Sequence, residues 1–173
     1  ELAPSALPGH LREITTALHA ALVKLARLSA PVVAVVHGTA AGAGFSLACA
    51  ADIVVAADSA RFLLAYAGVG LTPDGSATFY LPRVVGLRRA QELVLLNRPL
   101  AAAEALAWGL VTEVVPEAEL DVRVEELAAD LAAGPTLALG AAKRLLWSSF
   151  DTSLETQLER ETEALSAAAA TED

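Results

Sequence analysis

Residues 37–45 read His37-Gly38-Thr39-Ala40-Ala41-Gly42-Ala43-Gly44-Phe45, a run whose small side chains leave the main chain bare. Only such residues let backbone come close to a ligand. Where a run like this opens a helix, the first N–H groups lack partners inside the helix and favour developing negative charge. The spacing is neither the G-x-G-x-x-G of dinucleotide sites nor a P-loop, since no Gly-Lys-Ser/Thr follows. A tight strand-to-helix turn with close packing asks for the same residues, so the run alone leaves both uses open. Further along, Gly70-Leu71-Thr72-Pro73-Asp74-Gly75 sets one carboxylate in a loop. An aspartate there is either a proton-transferring base or the N-cap of the helix that follows. His10 and His37 have no Cys or carboxylate at ligand spacing, and no metal site is expected. Cys49, alone in an Ala-rich stretch, reads as a small buried hydrophobe.

The elements that would carry these residues follow from periodicity. Leu11, Ile14, Leu18, Leu22 and Leu25 recur at helical spacing, and Pro31 ends the run. The β-branched residues 32–36 predict a buried strand. Residues 38–44 read as loop, 45–50 as helix, and 53–57 and 60–64 as strands. Residues 68–74 read as loop, 75–81 as a helical turn or two, then 87–96 and 101–108 as helices. Residues 111–115 form the last predicted strand. From 117 on the chain reads as helix, over 117–133, 136–150 and 154–169, broken near Gly134-Pro135 and Asp151-Thr152. Helices alternating with strands predict an α/β core, residues 1–115, followed by a helical region, 116–173.

Composition narrows the function classes. The hydrophobic fraction of 55% against 5% aromatic means an excess of Ala, Leu and Val, suited to helices packed closely on one another or on a partner subunit. A net charge of -9 with no basic block excludes a nucleic-acid groove. The longest apolar stretch, residues 40–51, is too short to span a bilayer, and residues 1–8 lack the basic start and apolar run of a signal peptide. A soluble, cytoplasmic protein with no membrane partner is expected. The sequence holds no Met and begins at Glu1, so it is expected to be trimmed at one end or both.

Several segments in order resemble the crotonase (enoyl-CoA hydratase/isomerase) superfamily. They are Pro31-Val32-Val33-Ala34-Val35-Val36-His37-Gly38 with the Ala/Gly loop, Leu47-Ala48-Cys49-Ala50-Ala51-Asp52-Ile53-Val54-Val55-Ala56, and Ser59-Ala60-Arg61-Phe62. Gly70 to Gly75, Leu81-Pro82-Arg83-Val84-Val85-Gly86 and Ala105-Leu106-Ala107-Trp108-Gly109-Leu110-Val111 continue the match. The resemblance implies a ββα spiral with a helical C-terminal region. It also implies a homotrimer or homohexamer, and acyl-CoA thioesters as substrates, with coenzyme A part of the substrate and no cofactor retained. The shared chemistry would be a thioester enolate held by two backbone N–H groups. Ala43 falls at one of them, and the other lies before the part represented here. Gly42, Phe45, Ser46 and Tyr66 would shape the substrate pocket.

Family hydratases use two carboxylates where this chain has Ser46 and Tyr66. Asp74 instead matches the proton-shuttling aspartate of isomerases that resemble 1,2-epoxyphenylacetyl-CoA isomerase. An acyl-CoA isomerase that shifts a double bond or opens a ring is therefore the leading expectation. His19 and Asp74 also match, in position and separation, a histidine and nucleophilic aspartate of 4-chlorobenzoyl-CoA dehalogenase, a hydrolase. That family has tryptophans where Leu18 and Tyr66 stand. An enoyl-CoA hydratase and a non-catalytic acyl-CoA-binding scaffold complete the alternatives. Outside the site, Arg83, Arg88, Arg89, Lys143 and Arg144 are expected either to meet coenzyme A phosphates or to lie on solvated faces, and Trp108 to anchor packing.

Overall fold

The computed structural model describes residues 5–171, so what the sequence predicts for residues 1–4 and 172–173 lies outside the described residues. Helix α1 (Leu7–Arg27) is followed by strands β1 (Val33–Val36) and β2 (Thr39–Ala41) and helix α2 (Ala43–Ala50). The chain then repeats itself with β3 (Ile53–Ala57) and β4 (Arg61–Leu63), which lead through a 3-10 turn at Tyr66–Val69 to α3 (Ala77–Val85) and α4 (Leu87–Leu96). A shorter pass follows with β5 (Leu100–Ala101), α5 (Ala102–Ala107) and β6 (Glu113–Val115). Helices α6 (Leu120–Ala133), α7 (Thr136–Ser148) and α8 (Leu154–Ala168) complete the chain.

Successive passes feed two sheets. One has the order β1-β3-β6, all parallel, and the other β2-β4-β5, with β5 antiparallel to β4. This is the strand–strand–helix spiral that the resemblance implies. Parallel strands need cover on both faces, hence runs of apolar residues without alternation. β3 shows this directly: Val55, Ala56 and Ala57 have no exposed surface. Phe45, Phe62, Leu64, Leu81, Leu93 and Leu100 fill the space around it. Among the described residues, no helix is long and apolar enough to cross a membrane.

Three expected elements change. The loop predicted over 38–44 contains β2, which pairs with β4 in the register Thr39↔Arg61, Ala40↔Phe62 and Ala41↔Leu63. Pairing within a sheet overrides the weak strand preference of Ala. The helix predicted from residue 101 starts at Ala102, because Leu100 and Ala101 pair with Phe62 and Arg61. The short helix predicted over 75–81 runs from Ala77 to Val85 and contains Pro82.

The tail helices close on the core through an ion pair that sequence patterning did not indicate. Lys143 is 8% exposed, and its Nζ donates to Asp52 Oδ2 at 2.8 Å, Ala30 O at 3.2 Å and Leu25 O at 3.3 Å. Neither the solvated face nor the phosphate contact expected for it is compatible with that burial. Arg83 lies 3.8 Å from the centre of the Phe79 ring, and Arg89 and Arg98 flank Trp108 at 4.9 and 5.1 Å. These cations stack on aromatics of their own chain. Trp108 packs against the core as an anchor.

Helix α7 comes close because of one residue. A Cβ added at Gly140 would sit 2.4 Å from the Ser29 carbonyl oxygen, with further backbone atoms at 2.5 and 2.6 Å. Gly140→Ala would gain up to about 1 kcal/mol of helix propensity. The clash is with main chain that cannot rotate away, so it outweighs the gain. The variant is expected to be about 1–3 kcal/mol less stable, as chemical denaturation would register; equal or greater stability would contradict this packing.

Candidate active site

Four segments meet around one carboxylate. Helix α1 brings His19, α2 brings Ala43 and Ser46, the 3-10 turn brings Tyr66, and the loop before α3 brings Asp74. His19 Nε2 lies 2.8 Å from Asp74 Oδ1. An ionised carboxylate only accepts, so in that state Nε2 carries the hydrogen. The Asp74 carbonyl accepts from Ser46 Oγ at 2.6 Å and from Tyr66 OH at 3.4 Å. The carboxylate therefore engages His19 rather than capping α3, whose preceding residue Ser76 also makes no side-chain cap. Side-chain exposures of 52% for His19 and 31% for Asp74 leave the pair in contact with solvent. Such a pair contributes at most about 1 kcal/mol of stability. Its consequence is orientation of the carboxylate.

The bare run of residues opens α2. Gly42 has φ +53, and its N–H donates to Leu63 O at 2.9 Å, which turns the chain out of β2 into the helix. Ala43, exposed, is the first residue of α2. At that position an N–H has no helical carbonyl behind it to bond. A Cβ at Gly42 would lie 3.9 Å from Tyr66 Cζ, so the tyrosine ring leans on the turn. Ala43, Gly42, Ser46, Tyr66, Asp74 and His19 thus belong to one neighbourhood. Phe45 does not. Expected in the pocket, it is wholly buried and packs on Phe62 with ring centres 5.7 Å apart, because the first turn of α2 points it into the core.

His37 and His10 are exposed and stand apart from the cluster. Among the described residues, no three His, Cys, Asp or Glu side chains gather at metal-binding spacing. The Ser46–Asp74 hydrogen bond was missed in the sequence, since it joins residues 28 apart through a main-chain oxygen. The close fit of Gly75 against Ser46 had a signal in the glycine after Asp74, though not its partner.

Residues 6–173 match the enoyl-CoA hydratase/isomerase family, and the chain belongs to it. It is 41% identical over 157 residues to 4-chlorobenzoyl coenzyme A dehalogenase-1 of Arthrobacter sp, covering 91% of this chain and 57% of the relative. It is 44% identical over 138 residues to 1,2-epoxyphenylacetyl-CoA isomerase of Escherichia coli K12, covering 80% of this chain and 53% of the relative. A putative enoyl-CoA hydratase from Thermobifida fusca YX in complex with acetoacetyl-CoA superposes with a TM-score of 0.88 at 37% identity, over 96% of this chain and 65% of that one. The chain spans about half the length of the curated relatives it matches.

Cys49 stands outside this chemistry. Burial pushes its thiol up to about 12, so it stays protonated at neutral and mildly alkaline pH. Iodoacetamide at pH 8 is expected to leave the folded protein unmodified and to alkylate Cys49 once the chain is unfolded, as intact-mass spectrometry would show. Rapid alkylation of the folded form would refute this.

Proposed function

We propose that the protein is an acyl-CoA isomerase that works through a thioester enolate, with Asp74 as its proton shuttle. The observation that supports this reading is the surroundings of one carboxylate. Asp74 is oriented by His19, while the positions that the resemblance gives to the hydratase carboxylates hold Ser46 and Tyr66, both turned to the Asp74 carbonyl. The thioester acidifies a neighbouring C–H bond. Asp74 takes that proton, and the negative charge moves to the thioester oxygen, facing the Ala43 N–H. One such donor contributes roughly 2.7–4 kcal/mol to transition-state stability. Asp74 then returns the proton at a different carbon, so the double bond shifts or a ring opens with no water consumed. Coenzyme A is part of the substrate, and no cofactor is retained.

A second reading is favoured by the 2.8 Å contact between His19 and Asp74. In a dehalogenase-like hydrolase Asp74 attacks the ring carbon that bears the halide, halide leaves, and a water assisted by His19 hydrolyses the resulting aryl ester. Leu18 and Tyr66 stand where that reaction's tryptophans are expected.

Exposed leucines on the tail, Leu146 (70%), Leu158 (52%) and Leu165 (74%), support a homotrimer or homohexamer. Sedimentation equilibrium of the full-length protein is expected to return three or six subunits, and a monomer would refute the assembly.

Turnover of a panel of unsaturated and aromatic acyl-CoA thioesters in deuterated, oxygen-18 water separates the readings. Isomerisation gives a product with no added water and no heavy oxygen in Asp74, carrying deuterium to the extent that the proton on the solvent-exposed Asp74 exchanges in transit. Asp74→Asn is expected to lower that turnover about 10²- to 10⁴-fold, and full activity would sink the mechanism. Heavy oxygen in Asp74 after a single turnover supports the hydrolase instead. Addition of water points to a hydratase, and tight binding without turnover to a scaffold.

A further inference from the structure

Ser46 is wholly buried, yet it touches both halves of the candidate site. Its Oγ donates to the Asp74 carbonyl at 2.6 Å and lies 3.2 Å from the carbonyl of Gly42. The Gly42 carbonyl already accepts the Ser46 N–H at 3.1 Å as the first turn of α2. A hydroxyl has one proton, so the short bond to Asp74 takes it. On the other side, Gly75 has φ +64, and a Cβ there would meet Ser46 Cβ at 3.0 Å, Leu18 Cδ2 at 3.4 Å and Ser46 Oγ at 3.4 Å. The Asp74-Gly75 backbone is thus clamped between α2 and the residue that precedes His19 on α1.

We propose that Ser46 is a positioning residue that sets the Asp74 carboxylate relative to the Ala43 N–H. The inference rests on the enolate reading above. Ser46 lies on the same first turn of α2 as Ala43, and its hydroxyl holds the one main-chain carbonyl belonging to Asp74. The shortest hydrogen bond to that carbonyl therefore ties the proton acceptor to the helix turn that carries the enolate-facing N–H, with the longer Tyr66 bond beside it. The neighbours also specify the residue. Two carbonyls face the Ser46 side chain, so the position requires a donor, and a carboxylate there would point its charge at both. Position 46 is thereby withdrawn from the acid–base role that the resemblance gives it in hydratases, and its hydrogen bond serves Asp74.

The test uses full-length protein and whichever acyl-CoA thioester the panel identifies, with deuterium entry into substrate and product as the readout. Ser46→Ala is expected to lower kcat about 10- to 100-fold, as a misplaced catalytic group does, with KM within about threefold. Ser46→Cys retains a weak donor and is expected to recover part of the loss. It also serves if the alanine variant does not fold. Thermal unfolding and active-site titration measured alongside separate positioning from structure, since loss of stability alone lowers the active fraction and leaves kcat per active site unchanged. If Asp74→Asn is inactive but Ser46→Ala turns over at the parental rate, the positioning role is overturned. A fall in stability with unchanged kcat per active site, or a cysteine variant no better than alanine, overturns it equally. If Asp74→Asn is fully active, it is the enolate reading with Asp74 as base that fails.

Discussion

An ammonium group at the join between the tail and the core holds the frame on which the site depends. Lys143 has three protons and three acceptors: the Asp52 carboxylate and the carbonyls of Leu25 and Ala30. Asp52 also accepts from the Val32 N–H at 2.7 Å. The end of α1, the entry to β1, the exit from α2 and helix α7 therefore share one polar centre. Loss of hydration by two largely buried charges offsets much of their attraction, so the pair contributes more to register than to net stability. It sets where α1 lies against the sheet, with Gly140 allowing α7 to approach. Because His19 and Leu18 ride on α1, a contact made at one end of that helix fixes what the site receives from its middle.

The site itself is built more from backbone than from side chains. Positive φ values occur at Gly42, Ala65, Gly75 and Ser76, which bracket the 3-10 turn and the loop of Asp74. Ala65 and Ser76 lack glycine's freedom, and each holds an unfavourable conformation worth of order 1 kcal/mol or more. Such strain persists only where surrounding contacts over-determine the chain. Here the contacts are those of Tyr66 and Ser46 with the Asp74 carbonyl and of Leu18 with Gly75. A carboxylate in an unconstrained loop would sample many orientations; this one is held by its own main chain before any substrate arrives.

Much of this frame was legible in the sequence, for identifiable reasons. The β-branched run at residues 32–36 and the apolar run at 53–57 gave two strands of the α/β core, and leucines three and four apart gave α1. The Ala/Gly run marked the turn into α2, since bare backbone has few uses. Asp74 and His19 stand 55 residues apart, and only their joint match to a family motif suggested that they meet. β2 was hidden because two of its three residues are alanines with little strand preference, and it exists by pairing with β4. Lys143 was misread because a charged residue on an Ala-rich helix looks solvated until its acceptors, in segments far away along the chain, come into view. Phe45 was assigned to the pocket although its neighbour Ser46 faces it; adjacent helical positions point some 100° apart, and one of the two had to enter the core.

The same frame accommodates relatives bearing the names of an isomerase and a dehalogenase at nearly equal identity, 44% and 41%. Fold and main-chain scaffold therefore do not select the reaction. In the proposed function the frame supplies an N–H facing the thioester oxygen and a carboxylate set apart from it. Selection falls to the few side chains that decide whether that carboxylate exchanges a proton or forms a bond. Ser46 and Tyr66 are donors turned to the Asp74 carbonyl, and neither can act as a second carboxylate. His19 hydrogen-bonds the Asp74 side chain, and it is half-exposed. Within the proposed function a histidine so placed suits either reading, holding the carboxylate in line for a proton or activating a water beside it. Under the proposed function, the choice between those outcomes passes to the acyl group, and to whether it offers Asp74 an acidic C–H bond or an electron-poor ring carbon.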